Sequence, residues 1–322
     1  MSRPGVTYFT SSDRSFYPGT VALINSLRLT GNDGDVVVFD LGLTDAQRER
    51  LSAVATVKAP GVPRDHAPKV LPTSDEATGS VVVIDSDMIV VAPLDDIVEE
   101  AGQGKLCLFP DPDDRWFEEW KDAFELQAPL RRERYVCSGF IALSVARWPG
   151  LLERWTEANH KLPPIRSTEA EDPFRDVDQD ALNAILMSEV APGSIAVQPA
   201  AAMAQHEELL RVRIENQESL FCTDRGQPVT ILHHSAAPKA WMPRGWKRDF
   251  RHAYVRLLPR VLFGDDVALR LEHDELPLWL RPTNAGAVTA RAVRTTHAIP
   301  GTKSAAKALR AAVRAVRRAR VP

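Results

Sequence analysis

The sequence lacks any apolar run that could cross a membrane, and it contains few cysteines. No window reaches the roughly 18 apolar residues that a spanning helix needs, and no apolar signal core follows residues 1–5. The cysteines Cys107, Cys137 and Cys222 are odd in number and form no C-x-x-C pair, so neither a disulfide framework nor a zinc knuckle is indicated. We therefore expect a cytoplasmic protein without a secretion signal.

Acidic residues are absent beyond Glu275, where ten basic residues occur. Without those ten charges the net charge falls from −3 to −13, so an acidic body carries a basic tail. At residues 303–320, small apolar side chains share one helical face and basic side chains the other, which predicts a basic amphipathic helix.

Such a tail binds anionic membrane surfaces chiefly through charge, which would make the protein peripheral at the inner face of the membrane. A solvated helix or a disordered tail fits the same pattern. No aromatic residue interleaves with the basic ones in residues 303–320, which argues against a nucleic acid partner.

The remaining composition is that of a soluble globular protein, with 44% hydrophobic and 26% charged residues. Apolar runs alternate with helical patterns, which is typical of an α/β fold whose mostly parallel sheet has right-handed crossovers and flanking helices. The predicted strands are residues 6–10, 36–40, 81–84, 106–110, 135–144, 195–197 and 229–232, with a short one at Val57. The predicted helices are residues 20–27, 45–55, 93–97, 116–124, 148–160 and 181–187.

Two further features concern helix starts and domain organisation. Thr44 and Gln47 have the spacing of a capping box. We expect residues 1–257 to form one main domain and residues 258–322 to form a C-terminal extension that carries the basic tail.

Two carboxylates, Asp85 and Asp87, follow the predicted strand 81–84, which is apolar and largely β-branched. Such a strand lies buried in a parallel sheet, and ligands bind outside the carboxyl ends of these strands. Two carboxylates this close repel each other, and a divalent cation removes the repulsion. We interpret the pair as a metal site, with helix capping or pairing to surface bases as the alternative.

Three more polar groups lie at the ends of predicted elements or within them. Residues 138–139 are a Ser-Gly inside an apolar strand, where glycine often marks the close approach of a ligand. Residues 178–180 are an Asp-Gln-Asp at a helix start, where acids also serve as caps. His233 follows the last strand, with Lys239 and Trp241 six and eight residues further on.

The order and character of these four features resemble glycosyltransferase family 8, the retaining nucleotide-sugar transferases that include glycogenin and bacterial lipopolysaccharide galactosyl- and glucosyltransferases. Members carry a strand ending in Asp-x-Asp, an Asn-Ser/Ala-Gly segment, an Asp-Gln-Asp opening a helix, and a late His-x-x-Gly-x-x-Lys-Pro-Trp. The resemblance covers residues 6–241. It implies the GT-A (Rossmann-like) fold and transfer of a hexose from a nucleoside diphosphate sugar, with UDP favoured as the nucleotide, to a glycan or lipid-linked acceptor.

The resemblance also implies that Asp85, Asp87 and His233 hold Mn²⁺, with Mg²⁺ as the alternative, together with diphosphate oxygens. Mixed carboxylate, imidazole and phosphate ligation suits these ions, and the ion offsets charge on the leaving nucleoside diphosphate. Lys239 would bind the diphosphate as a point charge. A structural histidine and an ordinary solvated lysine are the alternatives, and the motif spacing favours the functional interpretation.

The catalytic residues that the resemblance implies are Asp178, which would accept hydrogen bonds from the donor sugar, and Gln179, which would lie near its anomeric carbon. An amide is a poor nucleophile, so stabilising an oxocarbenium-like centre is the easier role for Gln179. Helix capping alone is the alternative for both. The other donor-site residues implied are Tyr8, Thr10 and Asp13 for the nucleoside, and Lys69, Ser86, Asp111, Ser138 and Gly139 for the diphosphate and sugar.

The chain departs from the family pattern at three positions. Cys137 stands where the family usually has Asn, Ala236 replaces the Gly of the late motif, and Ala240 replaces its Pro. A Cβ at residue 236 could crowd the phosphates if that backbone took a positive φ. These differences leave the donor sugar open.

Other functions remain open from the sequence alone. A phosphatase of the haloacid dehalogenase type also places Asp-x-Asp after a strand, but it prefers Thr or Val where this chain has Ile89. A nucleotidyltransferase would need a Gly-rich phosphate loop after the first strand, and residues 11–14 do not supply one. An inactive nucleotide-sugar-binding module, tethered to a membrane by the tail, is the alternative outside enzymes.

Overall fold

The computed structural model describes residues 5–60, 69–73, 75–162, 171–242 and 251–281, together with residues 283, 286, 288 and 289. The predicted basic helix at residues 303–320 lies outside the described residues. Within them, no helix combines the length and the apolarity needed to cross a membrane.

Strands and helices alternate through most of the chain. The strands are β1 (Val6–Ser12), β2 (Asp35–Asp40), β3 (Thr56–Lys58), β4 (Ser80–Ile84), β5 (Met88–Val90), β6 (Leu106–Pro110), β7 (Val136–Ser144), β8 (Ile195–Val197), β9 (Met203–Gln205), β10 (Arg213–Asn216), β11 (Phe221–Asp224), β12 (Gln227–Pro228) and β13 (Ile231–His233). The helices are α1 (Tyr17–Leu29), α2 (Asp45–Ser52), α3 (Asp95–Gly102), α4 (Trp120–Ala123), α5 (Leu151–Lys161), α6 (Val177–Glu189) and α7 (Ala253–Phe263).

The central sheet of the described chain has seven strands in the order β3-β2-β1-β4-β7-β6-β8. The pairs β1–β2, β1–β4, β2–β3 and β6–β8 are parallel, whereas β7 runs antiparallel to both β4 and β6. The expectation of a mostly parallel α/β sheet is confirmed, and β7 is the exception to it. Two small sheets, β5-β13-β9 and β10-β11-β12, lie outside the central one.

The middle strands of the central sheet are buried on both faces. Val82 and Phe140 belong to the apolar cluster on one face, and Val83 and Ile141 belong to the cluster on the other. All nine residues of β7 are buried. Burial on both faces explains why these strands are continuous apolar runs instead of alternating ones.

The apolar stretch at residues 81–91 is two strands and not one. A turn closed by the hydrogen bond from Met88 N to Asp85 O (3.2 Å) separates them. The first part, β4, stays in the central sheet, and the second part, β5, pairs antiparallel with β13 in a small sheet. The two carboxylates therefore lie in the turn where the chain passes from one sheet to the other.

The segment after the predicted domain boundary packs onto the body of the fold. Asn25 in α1 donates to Val261 O (2.7 Å) and Leu269 O (2.7 Å) and accepts from Leu269 N (2.9 Å). Helix α7 spans residue 257, where the sequence suggested the boundary. The division into a domain and an extension stays a prediction.

Local predictions succeeded where the signal is local. The capping box of α2 is present, because Thr44 accepts from Gln47 N (3.2 Å) and Gln47 accepts from Thr44 N (3.1 Å).

The helix predicted at residues 116–124 is shorter, with α4 covering four residues. Arg115 reaches inward and Trp116 donates to Arg131 O (3.2 Å), and these tertiary contacts override the helical pattern.

A buried ion pair holds the start of α6 against the sheet. Asp180 is 0% exposed and accepts hydrogen bonds from Arg115 Nε (3.0 Å) and Nη2 (3.0 Å) and from Tyr135 OH (2.8 Å). It also accepts from Asp176 N (3.0 Å), so the capping that an acid at this helix start can provide is one part of a larger network. Burial raises the pKa of Asp180 to about 6 in spite of the opposing effect of Arg115.

We expect Asp180→Ala to destabilise the protein by about 3–5 kcal/mol, because it removes the carboxylate that pairs with the buried guanidinium of Arg115. Urea unfolding followed by circular dichroism would measure the loss as a lower midpoint at unchanged m-value. The matched control is Asp114→Ala, which removes an exposed pair with Arg132 and should leave the midpoint unchanged. Equal midpoints for the two variants would contradict the structural role of the pair.

Candidate metal centre and active site

The turn between β4 and β5 brings together the three residues predicted to bind a metal. Asp85, Asp87 and His233 each offer one ligand atom, and these atoms lie within 4.8 Å of one another. Asp87 and His233 are 6% and 5% exposed, so the group is largely buried. This is the one cluster of its kind among the residues that the structure describes.

Backbone pairing fixes the position of each ligand. Asp85 N donates to Gly139 O in β7 (2.8 Å), which anchors the first carboxylate to the central sheet. His233 pairs with Met88 in the small sheet, and His234 N donates to Asp87 O (3.0 Å), which anchors the second carboxylate beside the imidazole. Residues far apart in sequence therefore meet because the two sheets meet at this turn.

Each carboxylate of the cluster is paired with a lysine. Lys69 Nζ lies 2.7 Å from Asp85 Oδ1 and donates to Ser138 O. Lys239 Nζ lies 2.5 Å from Asp87 Oδ2 and 2.8 Å from each of the carbonyl oxygens of His234 and Ser235. Both lysines were predicted to lie at this site, and the structure places them there.

The charges of the cluster perturb one another strongly. Burial would raise the pKa of Asp87, but the positive charges of Lys239 and His233 outweigh burial and lower it. Burial would lower the pKa of His233, but Asp87 and Cys137 raise it to about 10. The negative charge beside His233 thus favours a proton on its imidazole, and a metal at this site would compete with that proton for the same nitrogen.

The residues present fit a hard divalent cation. Asp87 Oδ1 is buried and accepts no hydrogen bond within the described part of the chain, and it lies 3.4 Å from His233 Nε2. Two carboxylates and one imidazole are the donor types that Mn²⁺ and Mg²⁺ accept. A buried oxygen of this kind would be costly without a cation or proton nearby.

Cys137 takes part in the cluster, which the sequence did not indicate. Its Sγ lies 3.7 Å from Nδ1 of His233, on the ring edge opposite Asp87, and accepts from Gly139 N (3.4 Å). Residues 137 and 139 face the same side of β7 because side chains alternate along a strand. Gly139 lies beside the metal ligands, and the alternation places Cys137 on the same side of β7. The alternation is the sequence signal from which the contact of Cys137 with the cluster could have been predicted.

The predicted catalytic residues lie beside the metal cluster and are linked to it through β7. Ser138 Oγ donates to Asp178 Oδ2 (3.0 Å), and Ser138 N donates to Gln179 Oε1 (3.0 Å). Gln179 Nε2 in turn donates to Asp111 Oδ2 (3.2 Å). Burial raises the pKa of Asp111 more than its hydrogen bonds lower it.

The start of α6 is also held by an aromatic residue that the sequence did not single out. Trp155 Nε1 in α5 donates to Asp178 O (2.8 Å), and Lys69 Nζ lies 5.6 Å from the centre of the same indole ring. One side chain thus contacts both the helix that carries Gln179 and the lysine on Asp85. A contact of this kind between distant segments has no local sequence signal.

The other residues expected to bind the donor lie in different surroundings. Thr10 is buried near the end of β1, and Ser86 is buried in the turn between the carboxylates. Asp13 Oδ1 accepts from Ser15 N (2.8 Å) and Phe16 N (3.0 Å), which shapes the entry to α1. Tyr8 packs against Gly34 before β2, so the structure does not bring its ring to the metal cluster.

Trp241, which completes the late motif, links Lys239 to the first helix. Its Nε1 donates to Ser15 O (2.8 Å), and its ring packs edge-on against Phe16 at 6.1 Å between ring centres. Lys239 Nζ lies 5.7 Å from the centre of the Phe16 ring. Ala236 does not take a positive φ, so its Cβ imposes no backbone strain there.

Comparisons with known proteins support the fold and leave the family open. No family model matches the chain, and no curated protein matches it. The galactosyltransferase LgtC, solved with donor and acceptor sugar analogs, is 14% identical over 81% of this chain and 98% of its own, with a TM-score of 0.48. An active-site mutant of LgtC has the same identity and coverage and a TM-score of 0.50.

A solved structure of a second protein shows a similar likeness. The bifunctional glycosyltransferase WbbM is 15% identical, with a TM-score of 0.50, over 82% of this chain. This chain spans half of the WbbM chain. At such identities the likeness establishes the fold, and the fold is GT-A, the α/β fold of these glycosyltransferases.

Gly139 gives a direct test of the metal centre. A Cβ at this position would lie 2.5 Å from Met88 Cε, 3.0 Å from Asp85 Oδ2 and 3.1 Å from His233 Cε1. We expect Gly139→Ala to weaken Mn²⁺ binding by about 10- to 100-fold, the range for changes beside metal ligands. Isothermal titration calorimetry with Mn²⁺ would measure the change.

The control for this substitution is Gly193→Ala, whose added Cβ meets nothing within 4 Å. It should bind Mn²⁺ as the unaltered protein does. Unchanged Mn²⁺ affinity in a folded Gly139→Ala protein would mean that the cation binds elsewhere.

Proposed function

We propose that this protein is a metal-dependent retaining glycosyltransferase of the family 8 type, which moves a hexose from a UDP-sugar to a glycan or lipid-linked acceptor. One observation carries the proposal. A continuous series of contacts runs from Lys239, Asp87 and His233 through β7 to Gln179 and Asp111. Groups suited to a cation and a diphosphate thus lie beside groups suited to a sugar.

The GT-A fold is the reason to prefer this function to a phosphatase of the haloacid dehalogenase type, which an Asp-x-Asp after a strand would also fit.

The metal and diphosphate would be held by the cluster at the β4–β5 turn. Asp85, Asp87 and His233 would bind Mn²⁺ or Mg²⁺, which supplies positive charge against the charge that grows on the leaving nucleoside diphosphate. Lys239 would contact the diphosphate as a point charge. Asp87, His233 and Lys239 are buried, so their charges act in a medium that screens them weakly, whereas Asp85 is partly exposed.

The reacting sugar would lie against Asp178 and Gln179. Both ends of the Gln179 amide are already engaged, one accepting from Ser138 N and the other donating to Asp111. An amide held in this way is oriented to stabilise a reacting centre and is poorly placed to attack it. The carboxylate of Asp178 would supply negative charge near the positive charge that develops on the sugar ring.

The nucleoside would rest at the end of β1, near Thr10 and the turn that begins with Asp13. Tyr8 is not part of this proposed site, because its ring packs against Gly34, which precedes β2. A lipid-linked or cell-surface acceptor would agree with a basic tail that attaches the protein to the inner face of the membrane. Cys137, in place of the usual Asn, would alter the donor preference within UDP-sugars.

Thermal unfolding with UDP, GDP or phosphate, each with and without Mn²⁺, tests the donor and metal together. A ligand present at 100 times its dissociation constant stabilises the native state by about 2.7 kcal/mol, which raises the midpoint by several degrees. We expect a rise with UDP that requires Mn²⁺ and is absent in Asp87→Ala. The control Asp33→Ala, at an exposed position, should keep the rise. No rise with any nucleotide would refute the proposed donor class.

Substitution of Gln179 tests the role of its amide. We expect Gln179→Ala to lower kcat for donor turnover by about 10²-fold, as loss of one preorganised polar group does. We expect Gln179→Glu to be slow as well, because a carboxylate would face Asp111 at about the 3.2 Å of the present contact. Steady-state kinetics with UDP-sugars would measure both.

The control for these kinetics is Gln127→Ala, which alters an exposed glutamine. A Gln179→Glu enzyme that is faster than the unaltered one would contradict the orienting role and favour a nucleophile at this position.

A further inference from the structure

We propose that Lys239 is an internal counter-cation that couples metal binding to diphosphate binding. It neutralises Asp87 until a divalent cation takes its place, and the released ammonium then contacts the diphosphate. The inference rests on the proposed function, because it explains how that site would bind its two ligands together. It predicts that either ligand binds weakly alone and that each strengthens the other.

The contacts of Lys239 carry the first step. An ammonium has three N–H donors, and the structure gives Nζ three acceptors: Asp87 Oδ2 and the carbonyl oxygens of His234 and Ser235. The side chain is buried. Its donors are thus satisfied by the protein itself, so a diphosphate can bind Lys239 only if one of these contacts is given up. The contact with Asp87 is the one that a metal would compete for.

Asp87 carries the second step. One of its oxygens is taken by Lys239, while the other, Oδ1, is buried, accepts no hydrogen bond in the described chain and lies 3.4 Å from Nε2 of His233, the other metal ligand beside it. Asp87 can therefore offer Oδ1 to a cation. The ammonium of Lys239 at Oδ2 already compensates much of the negative charge of this carboxylate. A cation that binds Asp87 weakens the attraction between its carboxylate and Lys239, because both cations draw on the same negative charge.

The third step is the charge of the whole cluster. Lys69 and Lys239 cancel the two charges of Asp85 and Asp87, Asp178 adds one more negative charge near Lys69, and His233 must be neutral to bind a metal. A divalent cation alone would therefore leave these groups with a net charge of about +1 in a largely buried site, which is costly. A diphosphate brings negative charge that removes this excess. The same anion gives the ammonium of Lys239 a new partner.

Thermodynamic linkage turns these steps into a measurable quantity. If UDP increases the affinity for Mn²⁺ by some factor, Mn²⁺ must increase the affinity for UDP by the same factor, and such factors are commonly about 5–150. Lys239 is the group that changes partner, from Asp87 when the metal is absent to the diphosphate when both ligands are bound. Removing its charge should therefore strengthen the binding of Mn²⁺ alone and reduce the coupling.

The experiment is calorimetric titration of Mn²⁺ into the protein, with and without UDP. In Lys239→Met we expect Mn²⁺ without nucleotide to bind at least about threefold more tightly than in the unaltered protein. We expect the enhancement by UDP to fall from the range above to less than about threefold. Lys121→Met, which removes an exposed lysine, is the control and should change neither quantity.

A second variant shows whether an effect of Lys239→Met comes from loss of the charge or from misfolding. Lys239→Gln keeps a polar group for the carbonyls of His234 and Ser235 but carries no charge, and it should behave as Lys239→Met does. Mn²⁺ affinity that is unchanged or weaker without nucleotide in these variants would overturn the inference. So would an undiminished enhancement by UDP.

These outcomes are separate from failure of the proposed function. If UDP did not bind to the unaltered protein even with Mn²⁺, the proposed donor class would be wrong, and the titration of Mn²⁺ alone would still decide whether Lys239 competes with the metal. If UDP and Mn²⁺ bound together as proposed, unchanged Mn²⁺ affinity in the lysine variants would defeat the coupling role alone.

Discussion

The β-turn at residues 85–88 is the constraint on which the rest of the site depends. The chain must leave the central sheet after β4 and pair with β13 within a few residues, so Asp85 and Asp87 are forced into the corner between two sheets. The hydrogen bonds from Asp85 N to Gly139 O and from His234 N to Asp87 O fix the backbone on both sides of that corner. The geometry of the carboxylates is thus set by sheet pairing and not by the side chains themselves.

Burial of acidic groups at that corner requires compensating charge, and the surrounding elements supply it. Lys69 arrives from the segment before β4, Lys239 from the loop after β13, and His233 from the end of β13. Each lies against a carboxylate of the turn. A further buried pair, between Arg115 and Asp180, holds the helix that carries Gln179. The site is therefore a set of matched buried charges in which a change at one position is felt at its neighbours.

How much of this could be predicted from the sequence depends on whether the signal is local. The strand ending at Asp85, the capping box at Thr44 and the spacing from His233 to Lys239 are patterns within short segments, and the structure agrees with each. The pair of Asp85 and Asp87 also followed, because ligands gather at the carboxyl ends of parallel strands, whereas His233 was added to the metal cluster through the family resemblance.

The features that sequence reasoning missed are contacts between distant segments. Cys137 meets His233 across two sheets, and Arg115 leaves a helical pattern to reach Asp180. Strand β5 is three residues long and continues an apolar run, so its change of sheet has no compositional mark. Such features depend on which distant segments meet in the fold, and a single sequence does not show which segments meet.

The most direct test of the central claim is X-ray diffraction at the manganese absorption edge from crystals grown with Mn²⁺ and UDP. The account predicts an anomalous peak bounded by Asp85, Asp87 and His233, with Lys239 Nζ moved from Asp87 to a diphosphate oxygen. A manganese peak elsewhere in the protein, or UDP bound away from this turn, would contradict it.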